Sequence, residues 1–165
     1  MNIQIRSMVP ADWSKVADIY KQGIETGNAT FQQFIPSWEE WNSAHVLNCR
    51  IVAEVDNEIA GWAALSSVSA RAVYSGVAEV SVYVADKHRG QHIGTTLLES
   101  IIAESERHGF WTLQSGIFPE NTASIAIHIK SGFREIGVRE KVANMNNVWR
   151  NTVLFERRST VTGIV

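Results

Sequence analysis

One stretch restricts the folds open to this chain more than any other. In residues 78–98, AEVSVYVADKHRGQHIGTTLL, a strand runs into a basic, glycine-bearing loop and the loop into a helix. Ala78, Val80, Val82 and Val84 alternate with Glu79, Ser81 and Tyr83, the period-two pattern of a strand with one buried face. The loop spans Lys87 to Gly94, and a helix is expected from about Thr95, with Leu97, Leu98, Ile101 and Ile102 on one side and Gly109 as its stop. A helix start leaves main-chain N–H groups unpaired, its dipole favours negative charge, and glycine lets a phosphate approach the backbone. The segment is therefore laid out as an anion site, with the acidic Glu79 one strand-length upstream.

The remaining chain is read around that unit. Ile3 and Ile5 give a short first strand, and Pro10 and Asp12 start a helix continued by Val16, Ile19 and Ile24. Residues 26–36 form a loop carrying Phe31 and Phe34. Ser37 with Glu40 matches a capping box for a second helix holding Trp38 and Trp41, ending near Leu47 and Asn48. Strands follow over 51–55 and 59–65 around an Asp56-Asn57-Glu58 turn, then over 110–118, 133–139 and 148–157. Asn121 or Thr122 caps a short helix ending near Gly132. The strand over 110–118 is reached by a helical crossover, which favours a parallel neighbour. The order is β-α-α-β-β-β-α-β-α-β-β, an α/β (α+β) class with a mixed sheet flanked by helices. One domain over 1–158 with a frayed tail over 159–165 suits the 165-residue length.

Charge and cysteine content narrow the function. Fifteen basic residues against 17 acidic ones leave a net charge of −2, which gives no electrostatic footprint for nucleic acid. No apolar run is long enough to span a membrane, and the N-terminus lacks a signal-type apolar core. Cys49, the only cysteine, forms no intrachain disulfide, fits a reducing compartment and reads as structural, so a cytoplasmic location is expected.

Known phosphate loops can be tested directly. Gly94 is followed by Thr95 rather than by the lysine of a Walker A loop, and Gly90 and Gly94 have the wrong spacing for a dinucleotide fingerprint. Zinc-protease and serine-hydrolase signatures are missing as well, and no metal is expected. HRGQHIGTTLL instead resembles the pyrophosphate loop of the GNAT acyltransferase superfamily. Asn121-Thr122-Ala123-Ser124 through His128 to Gly132-Phe133 resembles its later asparagine element. TGNATF (26–31), SWEEW (37–41), REK (139–141) and VWRNTVLFERRS (148–159) extend the likeness, nearly end to end, to the phosphinothricin and methionine sulfoximine N-acetyltransferase family.

The resemblance implies a mostly antiparallel sheet with one parallel, splayed strand pair, and acetyl-CoA as co-substrate. It also implies a homodimer and direct transfer of an acetyl group to the amine of a small amino acid or analogue. Val82, Tyr83 and Val84 would border the thioester, with the N–H of Tyr83 or Val84 as oxyanion donor. Arg89, Gly90, Gln91, His92, Ile93, Gly94 and Thr95 would hold the pyrophosphate, with Lys87 in support, and Asn121 and Ser124 would flank the pantetheine. On residues alone Glu79 is equally an ordinary solvent-side strand glutamate; the resemblance makes it the base, and burial would raise its pKa usefully. His128 is either a packed histidine or the group that donates or relays a proton to the departing thiolate. Arg71 and Tyr74 match an R-x-x-Y pair suited to a carboxylate or phosphinate, and Phe31 would wall the acceptor.

Two positions depart from the pattern. His92 replaces a loop glycine, which is expected to weaken cofactor binding, and Asn151 replaces an aspartate, removing a salt bridge of the last strands. Another amine acceptor (a polyamine, aminoglycoside or protein amine) and a non-catalytic CoA-binding module remain alternatives.

Overall fold

The computed structural model describes residues 1–165. In chain order the elements are β1 (Ile3–Ser7), α1 (Trp13–Glu25), α2 (Trp38–Ala44), β2 (Arg50–Val55), β3 (Glu58–Ser67) and β4 (Val77–Val84). They continue with α3 (Ile93–Arg107), β5 (Thr112–Ile117), α4 (Thr122–Lys130), β6 (Arg134–Met145) and β7 (Val148–Arg158). The seven strands form one sheet in the order β1-β2-β3-β4-β5-β7-β6, as the mixed α/β reading expects. Every neighbouring pair is antiparallel except β4 and β5.

The two faces of β3 explain the layering. Ala63 and Leu65 point toward α3, where Leu97, Leu98, Ile101 and Ile102 make a continuous buried stripe. Trp62 and Ala64 point the other way and join Val16 and Ile19 of α1 and Trp41 of α2. Each large aliphatic of the α3 stripe contributes roughly 1.5–3 kcal/mol of gross burial energy, so Leu98→Ala would cost about 2–5 kcal/mol. Cys49 belongs to the first core; burial first, then Glu104, against the opposing Arg107, pushes its thiol up to about 11. It is a packed side chain and a poor nucleophile.

Turn chemistry sets the hairpins. Asp56 and Asn57 (φ 50° and 63°) and Asn146 and Asn147 (φ 52° and 65°) both adopt the left-handed conformation that two-residue hairpin turns require. Helix α2 opens with Ser37 accepting from the N–H of Glu40, and it ends at Ala44, earlier than expected. The buried Arg50 donates to the carbonyls of Asn42, in the last turn of the helix, and of His45 and Val46 just past its end.

Three expectations change. α3 begins at Ile93 rather than Thr95 because His92 takes the left-handed cap position. β6 runs on to Met145 instead of stopping at Arg139: the register slips between Arg139 and Ala143, and Lys141 (φ 46°) donates its N–H to Asn151 Oδ1 at 2.8 Å. Asn151 thus braces a bulge, a bond its neutral side chain makes without any ionic partner. The tail, expected to fray from Ser159, is tied down there. Ser159 is buried and bonds Glu106 through its hydroxyl, Thr162 Oγ1 donates to the Glu106 carbonyl, and Arg158 reaches the carbonyls of Thr162 and Gly163.

Candidate active site

β4 and β5 pair only at Val77–Thr112, Ala78–Leu113 and Glu79–Gln114 and then diverge. The parity of β4 decides what faces the gap. Ala85 donates to Ala60 on the β3 side, and the β3–β4 register is unbroken, so Tyr83 and Ser81 direct their N–H groups to β3 as well. The N–H groups of Val82 and Val84 therefore point into the gap. Of the two donors expected from sequence, Val84 has this orientation and Tyr83 does not.

Two cavities open at the gap. The larger, about 540 Å³, lies over the start of α3. Val82, Tyr83 and Val84 line it from β4, and Arg89, Gly90, His92, Ile93, Gly94 and Thr95 from the loop and first helical turn. Asn121 and Ser124 line it from α4. Gly90 (φ 75°) and His92 (φ 64°) bend the loop through left-handed conformations, and no side chain caps α3, so its first amides stay available to an anion. A Cβ on Gly90 would meet nothing within 4 Å, so that side of the loop is open. These features fit a pyrophosphate.

Gln91 does not line the cavity; its Oε1 faces His88 Nδ1 at 3.2 Å. Lys87 is also outside, with Nζ 2.7 Å from Glu58, and Arg89 is held by Asp86 at 2.7 Å. What the loop offers an anion is thus amides more than free cations. Sequence reading missed His88, Asn28, Ala29 and Glu120, which also line this space. The TGN run at 26–28 was visible, but nothing in local periodicity places it beside α4.

The smaller cavity, about 320 Å³, lies on the Glu79 side of the same strand. Glu79, Ser81, Phe31, Phe118 and His128 line it, and Ala29, Val82, Tyr83, Asn121 and Ser124 are common to both cavities. Phe31 packs edge-on against Phe118 at 4.8 Å. Tyr83 stacks on Trp62 and reaches both cavities only because α1 carries Gly23, whose Cβ would lie 2.6 Å from the Tyr83 ring. Burial first, then Tyr20, raises the Tyr83 phenol, against the hydroxyl of Thr30, so it stays protonated. Glu79 is solvent-exposed, contrary to the burial expected for it.

His128 is 3% exposed, and its Nδ1 lies 2.7 Å from the Ser124 carbonyl. A carbonyl only accepts, so Nδ1 carries the proton and Nε2 of the neutral ring presents a lone pair. Nε2 is buried without a partner in the ring that lines the smaller cavity. Burial lowers the imidazole's pKa, with the Ser124 bond opposing. His128 is thus a neutral proton acceptor first and a donor only after it has been charged.

Arg71 and Tyr74 are not brought to either cavity. They sit exposed on a single turn between β3 and β4, with the guanidinium 5.7 Å from the Tyr74 ring centre. No lysine or arginine lines the smaller cavity.

Comparison with known proteins bears on this arrangement. The family model described as the acetyltransferase (GNAT) family matches residues 13–133. Phosphinothricin N-acetyltransferase of Alcaligenes faecalis is 32% identical over 159 residues, covering 93% of this chain and 81% of its own. An L-methionine sulfoximine/L-methionine sulfone acetyltransferase of Pseudomonas paraeruginosa is 24% identical over 162 residues, with 94% of each chain covered. A GNAT superfamily phosphinothricin acetyltransferase from Sinorhizobium meliloti, solved in complex with AcCoA, superposes with a TM-score of 0.90 at 26% identity, over all of this chain and 92% of that one.

Proposed function

This chain belongs to the acetyltransferase (GNAT) family, and we propose that it moves the acetyl group of acetyl-CoA to the amine of a small amino acid or analogue of the phosphinothricin or methionine sulfoximine kind. The observation that carries this reading is the meeting of the two cavities at the free edge of β4. Val82, Tyr83, Asn121 and Ser124 border both, whereas Glu79 and His128 border only the smaller. A thioester entering from one side therefore meets an amine held beside two proton acceptors on the other.

This reading gives each group a role. The α3 amides and the loop from Arg89 to Thr95 hold the pyrophosphate, and Asn121 and Ser124 flank the pantetheine arm. Acetyl-CoA supplies the acetyl group and departs as its thiol. An α-amine has a pKa of about 8, so at neutral pH it must lose a proton before attack. Glu79, open to solvent, receives that proton directly or through water. The N–H of Val84 faces negative charge developing on the carbonyl oxygen. His128 takes on Nε2 the second proton, which the nitrogen sheds after it has attacked, and returns it to the departing sulfur, which fits its neutral resting tautomer. Phe31 walls the acceptor, and Arg71 with Tyr74 reaches the acceptor's acidic group by movement of the exposed turn that carries them.

The same reading includes a homodimer and a cytoplasmic location. Val138 and Trp149, which strand parity puts on one face of the last hairpin, expose 53% and 61% of their surface, an apolar patch for a second copy. No helix is long and apolar enough to cross a membrane. The deciding experiment follows thiol release from acetyl-CoA with phosphinothricin, methionine sulfoximine, ordinary amino acids, polyamines and aminoglycosides. Turnover confined to the amino-acid group is expected. Preference for a polyamine or aminoglycoside would overturn the acceptor class, and CoA binding without turnover would overturn the enzymatic reading.

A further inference from the structure

The acceptor side of the site hangs on a side chain to which the proposed reaction gives no part. Residues 28–34 supply Ala29, Thr30, Phe31 and Gln32 to the smaller cavity, yet no main-chain hydrogen bond joins them to the rest of the fold. Three bonds of the segment are local, Asn28 N–H to Thr26 Oγ1, Gln32 N–H to Thr30 Oγ1 and Gln32 Nε2 to the Phe34 carbonyl, and the Thr30 hydroxyl reaches the Tyr20 and Tyr83 phenols. Such a segment has many conformations of similar energy unless something distant fixes it.

Arg150 of β7 is the main distant fixture. One Nη donates to the Gly27 carbonyl, and the other donates to Asn28 Oδ1 at 2.8 Å and to Glu120 Oε2 at 3.2 Å. Its guanidinium lies 3.8 Å from the centre of the Phe118 ring, the ring against which Phe31 packs. The side chain is only 15% exposed, so these contacts are poorly screened by solvent. Arg150 therefore ties the loop after α1 to the turn between β5 and α4. Its partners Asn28 and Glu120 line the larger cavity, while the Phe118 ring it covers and residues 29–32, which follow Asn28, line the smaller one. Lesser ties come from Asn121 Nδ2 to the Asn28 carbonyl and from Gln33 Nε2 to Asn146 Oδ1 at 3.3 Å. The cofactor side keeps its own fixtures: Asn121 Oδ1 caps α4 through the Ser124 N–H, and the Asn121 N–H bonds the Phe118 carbonyl.

We propose that Arg150 is a positioning residue that sets acceptor affinity, by holding residues 27–32 against the Phe118–Asn121 turn. The role rests on reading the smaller cavity as the acceptor's. A lysine offers one charged nitrogen in place of a planar fork and cannot serve both arms at once.

The test is steady-state kinetics on the full chain with acetyl-CoA and either methionine sulfoximine or phosphinothricin, or whichever amine the wild-type enzyme turns over. Arg150→Ala is expected to raise acceptor KM about tenfold, with kcat and acetyl-CoA KM each within about threefold of wild type. Arg150→Lys should recover part of that loss. If Arg150→Ala does not fold, Arg150→Lys carries the test, with a smaller rise in acceptor KM and acetyl-CoA KM unchanged. Equal rises in both KM values, or a fall in melting temperature with unchanged kinetics, would overturn the role. An enzyme inactive on every amine would bring down the proposed function and this role together. An active enzyme without the split would bring down this role alone.

Discussion

The two cavities that meet at β4 are built from different materials. The larger offers backbone at its anion end: the opening turn of α3, the left-handed Gly90 and His92, and the N–H groups of the splayed strand. The smaller is walled by side chains from distant parts of the chain, including Phe31, Glu79, Phe118 and His128. A backbone-built site binds whatever carries the right anion, and side-chain substitution damages it only by disturbing the chain's path. A side-chain-built site owes its chemistry and selectivity to single residues. Substitutions in the smaller cavity should therefore act on kcat or on the acceptor, and those in the larger on acetyl-CoA affinity.

The largest effects belong to the proton-handling pair. His128→Asn keeps a donor for the Ser124 carbonyl but removes Nε2, and Glu79→Gln keeps shape without basicity. Each should lower kcat by about 10²-fold or more with acetyl-CoA binding by calorimetry intact. Lost cofactor binding in either variant would break the division of labour. Next comes Gly90→Val, which forces a β-branched residue into a left-handed conformation at a cost of about 1–2 kcal/mol. That should raise acetyl-CoA KM roughly tenfold and leave acceptor KM alone. Arg71→Gln should raise acceptor KM about fivefold; an unchanged value would show that the exposed turn never reaches the acceptor.

Acid should loosen the side-chain-built region. Burial lowers the folded pKa of His128 and of His45 below the unfolded value of about 6.5. Between those values the unfolded chain binds more protons, so stability is full above about pH 6.5 and falls as pH drops through the depressed folded values. A urea midpoint followed from pH 8 to 5 should fall, less steeply in His128→Asn. The smallest effect is expected from His92→Gly, which relieves a left-handed histidine: acetyl-CoA KM within about threefold of wild type or lower, and stability higher by up to about 1 kcal/mol. A large loss of activity would make the imidazole itself a ligand.

The same contrast explains what the sequence made legible. The cofactor loop could be read because its determinants are local: alternation in β4, two glycines, and the Leu97 to Ile102 stripe that fixes how α3 lies. Asn121, Ser124 and His128 were accessible for a similar reason, since a cap and a spacing of four place them on adjoining turns. The position of Arg71 and Tyr74 outside both cavities was not legible, because a short exposed turn gives no pattern from which to orient it. Arg150 was passed over because its partners at Gly27 and Glu120 lie 123 and 30 residues away. The one available hint was strand parity, which puts Arg150 on the same face of β7 as Thr152, a residue of the smaller cavity. The second half of β6 was lost because charged residues at 139–141 break the alternation where the strand bulges.

The Ala85-to-Ala60 bond that sets the parity of β4 has a consequence for how this protein can vary. No exchange of one amino acid for another, proline apart, removes the main-chain N–H groups of Val82 and Val84, so a scan of point substitutions would pass over them. Length is the sensitive variable: one codon lost between Glu79 and Ala85 would turn the other set of amides into the gap and flip the side chains beyond it. For those two amides, drift in this strand is tolerated in residue identity and forbidden in reading length. Replacing a single amide by an ester through chemical synthesis would probe those N–H groups one atom at a time.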